Sequence, residues 1–168
     1  RNIFSFRWSN EEREAVGLYE VVFDNTNKKD EEYYTNTNQS FAFADGVVTA
    51  SYGSATTKAH ADANATDEDG AELDPVVVIE GLKTKKIRVI KQQAAGILAE
   101  TDWYIVRKAD ADTAIPSAIT NHRAAVRTKC ASMETAITNA SNTAAIETLY
   151  TRNVEGVRPL GDLPTLEV

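Results

Sequence analysis

The sequence predicts an α+β protein in which a small N-terminal antiparallel β-meander with a capped short helix precedes a C-terminal helical hairpin or three-helix unit. In the first third of the chain, β-forming runs flank Asp45-Gly46, a dipeptide typical of tight hairpin turns. From about residue 76 onward, apolar residues recur every three to five positions, as on an amphipathic helix. The 168 residues and the 42% hydrophobic content fit one ordinary domain or two small ones.

Residues 1–52 are predicted to form a module of one helix and the meander. Ser9 and Glu12 have the spacing of a capping box, so a short helix should begin at Asn10 and run to about Val16. Gly17 should end it, because glycine adopts the left-handed conformation at low cost. Strands are predicted at 18–23, around 33–36 or 41–43, and at 47–52.

Residues 53–75 are predicted to be an acidic flexible loop. The segment is rich in Ala, Thr, Asn and Asp, and no Lys or Arg occurs between Asp62 and Asp74. Its Asp67-Glu68-Asp69-Gly70 run superficially resembles a calcium loop, but Gly70 falls at the fourth position, where an EF-hand requires glycine at the sixth. We therefore predict a solvated loop, with a weak cation site as the alternative.

Residues 76–152 are predicted to be a helical module, and residues 153–168 an extended C-terminal tail. A long helix should extend to about residue 98, and Thr101-Asp102 should cap a short helix from Trp103 to about Lys108. Pro116 suits the first turn of the next helix, and a last short helix should span 144–150. Large aromatic side chains are expected to anchor the cores of the two modules: Trp8, Tyr19 and Trp103.

The sequence indicates no catalytic, cofactor-binding or metal-binding residues, so we predict that the protein is not an enzyme. Its only histidines are His60, in the predicted loop, and His122, on a helix, and neither has a nearby nucleophile motif. The single cysteine, Cys130, reads as a packing residue. No phosphate-binding or zinc-hydrolase motif occurs. A pair of carboxylates that meet in space, acting on glycans, is the remaining enzymatic alternative.

The charge pattern predicts neither a nucleic-acid nor a membrane partner. The formal net charge is −7, whereas binding to phosphates needs a surplus of Lys and Arg. No apolar run approaches the roughly 18 residues of a membrane span. A basic cluster on the long helix is the alternative nucleic-acid site, but it lacks interleaved aromatic residues: Lys83, Lys85, Lys86, Arg88 and Lys91.

Two parts of the chain together resemble a family of small tailed-phage proteins. The first is Trp8-Ser9-Asn10-Glu11-Glu12-Arg13-Glu14-Ala15-Val16-Gly17-Leu18-Tyr19 with the hairpin 45–52, and the second is Ile97-Leu98-Ala99-Glu100-Thr101-Asp102-Trp103 with 113–116 and 123–127. This order is similar to virion structural, tail-fibre or tail-fibre-assembly proteins, above all those of marine phages and cyanophages. His122 stands where that family often has Tyr, and the acidic loop and tail lie outside the resemblance.

The resemblance implies a virion structural protein of the tail, baseplate or fibre apparatus that acts by protein–protein contact. Its partners would be other virion proteins, with a homo-oligomer also possible, and it would be made in the host cytoplasm and located in the virion. A fibre-assembly chaperone and a capsid decoration protein are the alternatives. Because the chain opens at Arg1 instead of Met, we expect residues to be missing upstream. Partner contacts are expected at the hairpin edge, the long helix and five further residues: Arg123, Arg127, Pro159, Leu160 and Leu163.

Overall fold

A computed structural model describes residues 8–166, in which short strands come first and long helices follow. The predicted α+β class is therefore confirmed. The chain divides into an N-terminal unit, Arg1–Thr57, and a C-terminal unit, Lys58–Val168. The division falls at residue 57 and not at 52, because a short strand at 56–57 pairs back within the N-terminal unit.

The N-terminal unit begins with helix α1, Asn10–Glu14, and its predicted capping box is present. The Ser9 hydroxyl accepts a hydrogen bond from the backbone N–H of Glu12 at 3.2 Å, and the Glu12 carboxylate accepts from the Ser9 N–H at 2.8 Å. Gly17 lies at a φ of +81° beyond the helix end. The helix ends at Glu14, two residues before the predicted Val16, because residues 15–17 already form a turn.

Three strands of this unit form its main sheet, in the order β1-β4-β3. The strands of the unit are β1 Val21–Asp24, β2 Tyr34–Thr35, β3 Ser40–Ala44, β4 Val47–Ser51 and β5 Thr56–Thr57. Strands β3 and β4 form the predicted hairpin, and both turn residues have positive φ, +50° at Asp45 and +77° at Gly46. A turn of this kind matches the twist of the strands it joins.

One strand pairing differs from the predicted meander, since β1 runs parallel to β4. The meander prediction assumed that strands adjacent in sequence pair with each other. A parallel pair instead needs a crossover of a dozen or more residues, and the chain between β1 and β4 is long enough to provide it. That connection also contains β2, which pairs with β5 in a separate two-stranded sheet.

Over its described residues, 58–166, the C-terminal unit contains one small strand pair and four helices. Its elements are β6 Ala63–Asn64, β7 Val78–Ile79, α2 Leu82–Ala99, α3 Asp102–Ala111, α4 Ser117–Asn139 and α5 Thr143–Tyr150. The long helix begins at Leu82 and not near 76, because the β-branched run before it forms β7.

The acidic segment is not the unstructured loop that its composition predicts. Strands β6 and β7 pair antiparallel across it, and Thr66 forms a further bridge with Glu72. At the tip, the Asp67 carboxylate accepts hydrogen bonds from the N–H groups of Asp69, at 3.0 Å, and Ala71, at 2.9 Å. The acidic side chain thus closes a turn on its own backbone, a local effect that overall composition does not reveal.

The core of the C-terminal unit lies between α2 and α4. It comprises Ile90, Ala94, Val126, Cys130, Met133, Ile137 and Leu160. The thiol of Cys130 contacts Glu134 at 3.4 Å, and burial raises its pKa, as expected for a packing residue. Leu160 comes from the tail, whose backbone is held by a bond from the Leu160 N–H to the Leu149 carbonyl at 3.0 Å.

The first turn of α2 is fastened by residues 59–62. The N-cap, Gly81, has no side chain to cap the helix, and the Asp62 carboxylate accepts instead from the Gly81 N–H at 2.7 Å and from the Thr84 hydroxyl at 2.8 Å. The N–H groups of Leu82 and Lys83 donate to the carbonyls of Ala59 and His60. The donors that a helix start leaves free are thus satisfied by a distant segment.

The close approach at Gly81 predicts that Gly81→Ala destabilises the protein. A β-carbon there would lie 2.4 Å from the carbonyl carbon of Ala61, so the 59–62 segment would have to move. We expect a loss of roughly 1–3 kcal/mol in the free energy of unfolding, measured by urea denaturation. The matched control is Gly96→Ala in the same helix, where nothing lies within 4 Å; it should stabilise by up to about 1 kcal/mol. Equal effects of the two variants would contradict this account.

The cap on α2 also predicts a specific dependence on pH. The Gly81 N–H, followed by the Thr84 hydroxyl, holds the pKa of Asp62 below its ordinary value of 3.8. A carboxyl whose pKa is lowered on folding stabilises the fold above its unfolded pKa, and this stabilisation is lost as the pH falls through the folded value. The melting temperature of the wild type should therefore exceed that of Asp62→Asn from pH 7 to 5, and the difference should shrink below about pH 4. Glu68→Gln removes the same charge from the nearby turn and should not reproduce this pattern.

Candidate interaction surface

The main sheet of the N-terminal unit carries apolar side chains on one whole face. Residues that pair directly across strands point to the same side, so each row of the sheet can be read from its register. One row is Val21–Val48–Phe43, and the row two residues further is Phe23–Ala50–Phe41. We call these two rows the apolar sheet face: Val21, Phe23, Phe41, Phe43, Val48 and Ala50.

Much of the apolar sheet face is open to solvent. Phe23 is 60% exposed, Phe41 64% and Phe43 59%, whereas Ala50, between two of these rings, is fully buried. The other face of the sheet is mixed, since its rows combine Val22, Thr49 and Ala42, and then Asp24, Ser51 and Ser40. The two faces thus differ as in a sheet that buries one side, although its three Phe rings remain largely exposed.

The N-terminal unit buries little within itself. Among its described residues, 8–57, the buried side chains are Tyr33 and Ala50. A domain of this size normally buries about 60% of the surface of its unfolded chain, because apolar burial must offset the lost conformational entropy. Contiguous exposed apolar patches of this kind are typical of interaction sites.

Two edges of the sheet are also open among the described strands, since β1 and β3 each pair on one side only. An edge strand presents a row of unpaired backbone donors and acceptors, which is the usual template for adding a strand from a partner. Open edges thus border the apolar sheet face on both sides.

The structure places the predicted core anchors on or near the surface. Tyr19 is 40% exposed and packs its ring on Phe43, with 4.5 Å between ring centroids. Trp8 is half-buried. Trp103 is 51% exposed, beside the ring of Tyr104. The prediction of Trp103 as a core anchor is therefore wrong: α3 contributes no buried residue, so its largest side chain stays outside.

Arg123, predicted as a partner contact, is instead an internal residue. Its side chain is 8% exposed and donates to the Leu98 carbonyl and the Thr101 hydroxyl, both at 2.7 Å, and it pairs with Asp102 at 2.8 Å. It thus joins the end of α2 and the start of α3 to α4. The sequence does indicate that Arg123 faces inward. The buried residues of α4 are spaced alternately by four and three positions, and Arg123 occupies one of these positions: Ile119, Arg123, Val126, Cys130, Met133 and Ile137.

The other predicted contacts divide between surface and core. Arg127 and Pro159 are exposed and remain accessible to a partner. Leu160 is 3% exposed, so the prediction that it contacts a partner is wrong; it packs in the α2–α4 core instead. Leu163 is partly buried against the same core. The tail is not simply extended, because turns occur at residues 154–156 and 159–160, and Leu160 and Leu163 pack on the core of the unit.

Most of the basic cluster on α2 is engaged within the C-terminal unit. Lys86 is buried and lies 4.1 Å from the centroid of the Tyr150 ring. Lys83 donates to the Thr138 carbonyl at 2.8 Å, and Lys91 pairs with Glu134 at 3.0 Å. Arg88 pairs with Glu80. These charges therefore stabilise internal contacts around α2.

The described residues do not form a metal site or a membrane-spanning helix. Within residues 8–166, no group of three or more metal-ligating side chains comes together. No helix in that part of the chain is long and apolar enough to cross a bilayer. Comparisons with protein-family models, with curated proteins and with solved structures give no match to this chain.

The Arg123 network predicts that Arg123→Met destabilises the C-terminal unit. The substitution removes the hydrogen bonds of the Arg123 guanidinium and leaves the carbonyl of Leu98 with fewer donors. Hydrogen bonds to charged groups contribute roughly 1.5–3 kcal/mol, so we expect a loss of that size in the free energy of unfolding. Arg127→Met, one turn further along the same helix and exposed, should change it by less than about 0.5 kcal/mol. A comparable loss in both variants would show that the network is not the cause.

Proposed function

We propose that this chain is a structural subunit of a tailed-phage particle, located in the tail, baseplate or fibre apparatus, and that it acts by protein–protein contact without catalysis. The observation that carries the contact role is the apolar sheet face, exposed and bordered by open strand edges. The phage assignment is supported by the resemblance of residues 8–19, 45–52, 97–103, 113–116 and 123–127. The partners would be other virion proteins, and the location the virion.

The size of the apolar sheet face supports a contact made within an assembly. Three strands of about five residues cover a footprint of roughly 14 by 17 Å. A standard stable interface buries about 800 Å² on each partner, several times that footprint. One such face alone is too small to hold two free proteins together firmly. It suits a subunit whose position is held by several contacts at once, since linked contacts reinforce one another.

We take the occupant of the apolar sheet face to be an apolar surface of a neighbouring virion subunit. The face carries no charged side chain, so a charged partner surface would lose its hydration there without compensation. The three Phe rings match the enrichment of aromatic residues at the centres of interfaces. A fibre-assembly chaperone is the second candidate, because an uncovered apolar face would also fit a transient client.

The proposal predicts that purified particles contain the chain in stoichiometric amounts, as measured by quantitative mass spectrometry. Phe41→Ser should lower incorporation at least tenfold while the free protein stays folded, because the ring is 64% exposed. The matched control is Val106→Ser on α3, which removes an apolar side chain that is 66% exposed and should leave incorporation unchanged.

Other outcomes would reject the structural role. Absence from the particle together with co-purification with an unfinished tail protein would favour the chaperone. Absence from both would contradict a function in phage assembly. Equal loss of incorporation in Phe41→Ser and Val106→Ser would remove the apolar sheet face as its cause.

A further inference from the structure

The open edge formed by β3 lacks the features that usually protect a strand edge. Its residues, Ser40-Phe41-Ala42-Phe43-Ala44, include no charged residue and no proline, and all are exposed. Soluble proteins normally protect such edges with Lys, Pro or a bulge, because an open apolar edge pairs readily with another chain.

The opposite edge, formed by β1, is protected by charge. Glu20 precedes this strand and Asp24 ends it, with Val22 midway between them. If β1 paired antiparallel with β1 of a second copy around Val22, each Glu20 would lie opposite an Asp24 carboxylate. Like charges directly opposite each other destabilise a strand pair. Among the described strands of the main sheet, β3 is therefore the edge open to a second copy.

The sequence of β3 is complementary to itself in an antiparallel arrangement. When two copies are related by a two-fold axis at Ala42, Phe41 lies opposite Phe43 of the second copy, and Ser40 lies opposite its Ala44. Side chains directly opposite each other share one face, so the rings would extend both apolar sheet faces. Aromatic cross-strand pairs of this kind stabilise antiparallel strands.

The direction in which the backbone groups of β3 point is compatible with this register. Ala44 and Val47 flank the two-residue turn, so their backbone N–H and C=O groups bond to each other. Hydrogen-bonded pairs recur at every second residue, so the backbone groups of Ala42 and Ser40 also point towards β4. The alternation leaves the N–H and C=O groups of Phe41 and Phe43 pointing outward. These are the residues that face each other across a two-fold axis at Ala42, and they would form about four main-chain hydrogen bonds.

We propose that β3 pairs antiparallel with β3 of a second copy of this chain, centred on Ala42. The pairing joins two three-stranded sheets into one sheet of twice the width and merges their apolar faces into a single surface. The contact is at the small end of specific interfaces, so the isolated protein should dimerise in a concentration-dependent way. This contact uses the edge and not the face, and it does not depend on the phage assignment.

The test is sedimentation velocity of the full chain over a concentration series up to about 1 mM. The wild type should shift from monomer to dimer as the concentration rises. Ala42→Lys places two ammonium groups side by side at the two-fold axis and should weaken dimerisation at least tenfold. The matched control is Val22→Lys, since Val22, Thr49 and Ala42 form one row on the same face and Val22 lies on the opposite edge. It should dimerise like the wild type.

A charge-swap experiment separates lost pairing from misfolding. Ala42→Lys and Ala42→Glu should each be monomeric alone, whereas their mixture should form a heterodimer that native mass spectrometry detects by its mass. A wild type that stays monomeric up to 1 mM would overturn the proposal. A mixture without heterodimer, or a loss of dimer in Val22→Lys equal to that in Ala42→Lys, would overturn it as well.

Discussion

The packing of α2 against α4 is the contact on which the rest of the C-terminal unit depends. The side chains buried most completely lie there or on α5, among them Ile90, Met133, Ile137 and Ile146. Each such side chain contributes roughly 1.5–3 kcal/mol when it leaves water. Polar contacts attach the 59–62 segment to the start of α2 and Arg123 to its end, whereas the tail is attached through the side chain of Leu160, which lies in the core. The polar contacts fix where each segment lies, and those of the Arg123 guanidinium contribute an amount comparable to one buried apolar side chain.

The N-terminal unit has the opposite balance. Its local geometry is well specified, since the capping box, the positive-φ residues and the hairpin turn each satisfy backbone groups with nearby partners. Its apolar residues nevertheless gather on a face that its own described residues do not cover. Local bonds order a chain without supplying much burial, so covering that face would add stabilisation that the N-terminal unit does not obtain from its own described residues.

Sequence reasoning succeeded where short-range chemistry decides the structure and failed where distant segments meet. The Asp45-Gly46 turn and the capping box of Ser9 with Glu12 depend on a few neighbouring residues, whereas the predicted cap at Thr101 is wrong, because its hydroxyl bonds to the Leu98 carbonyl at the end of α2. The parallel pairing of β1 with β4 and the burial of Arg123 depend on contacts between elements. The alternation of Phe with smaller residues in β3 places both rings on one side of the sheet. Periodicity defines such a side but cannot tell whether the chain itself or another molecule covers it.

The contrast between the two sheet edges is the strongest sign that the N-terminal unit is built for association. Glu20 and Asp24 bracket β1, while β3 carries neither charge nor proline. A charge on β3 would cost the monomer almost nothing, because every residue of that strand is exposed. Its absence therefore has no explanation in the stability of the isolated chain. The proposed pairing of β3 with a second copy would account for it, because a charge buried at that edge would have to be desolvated.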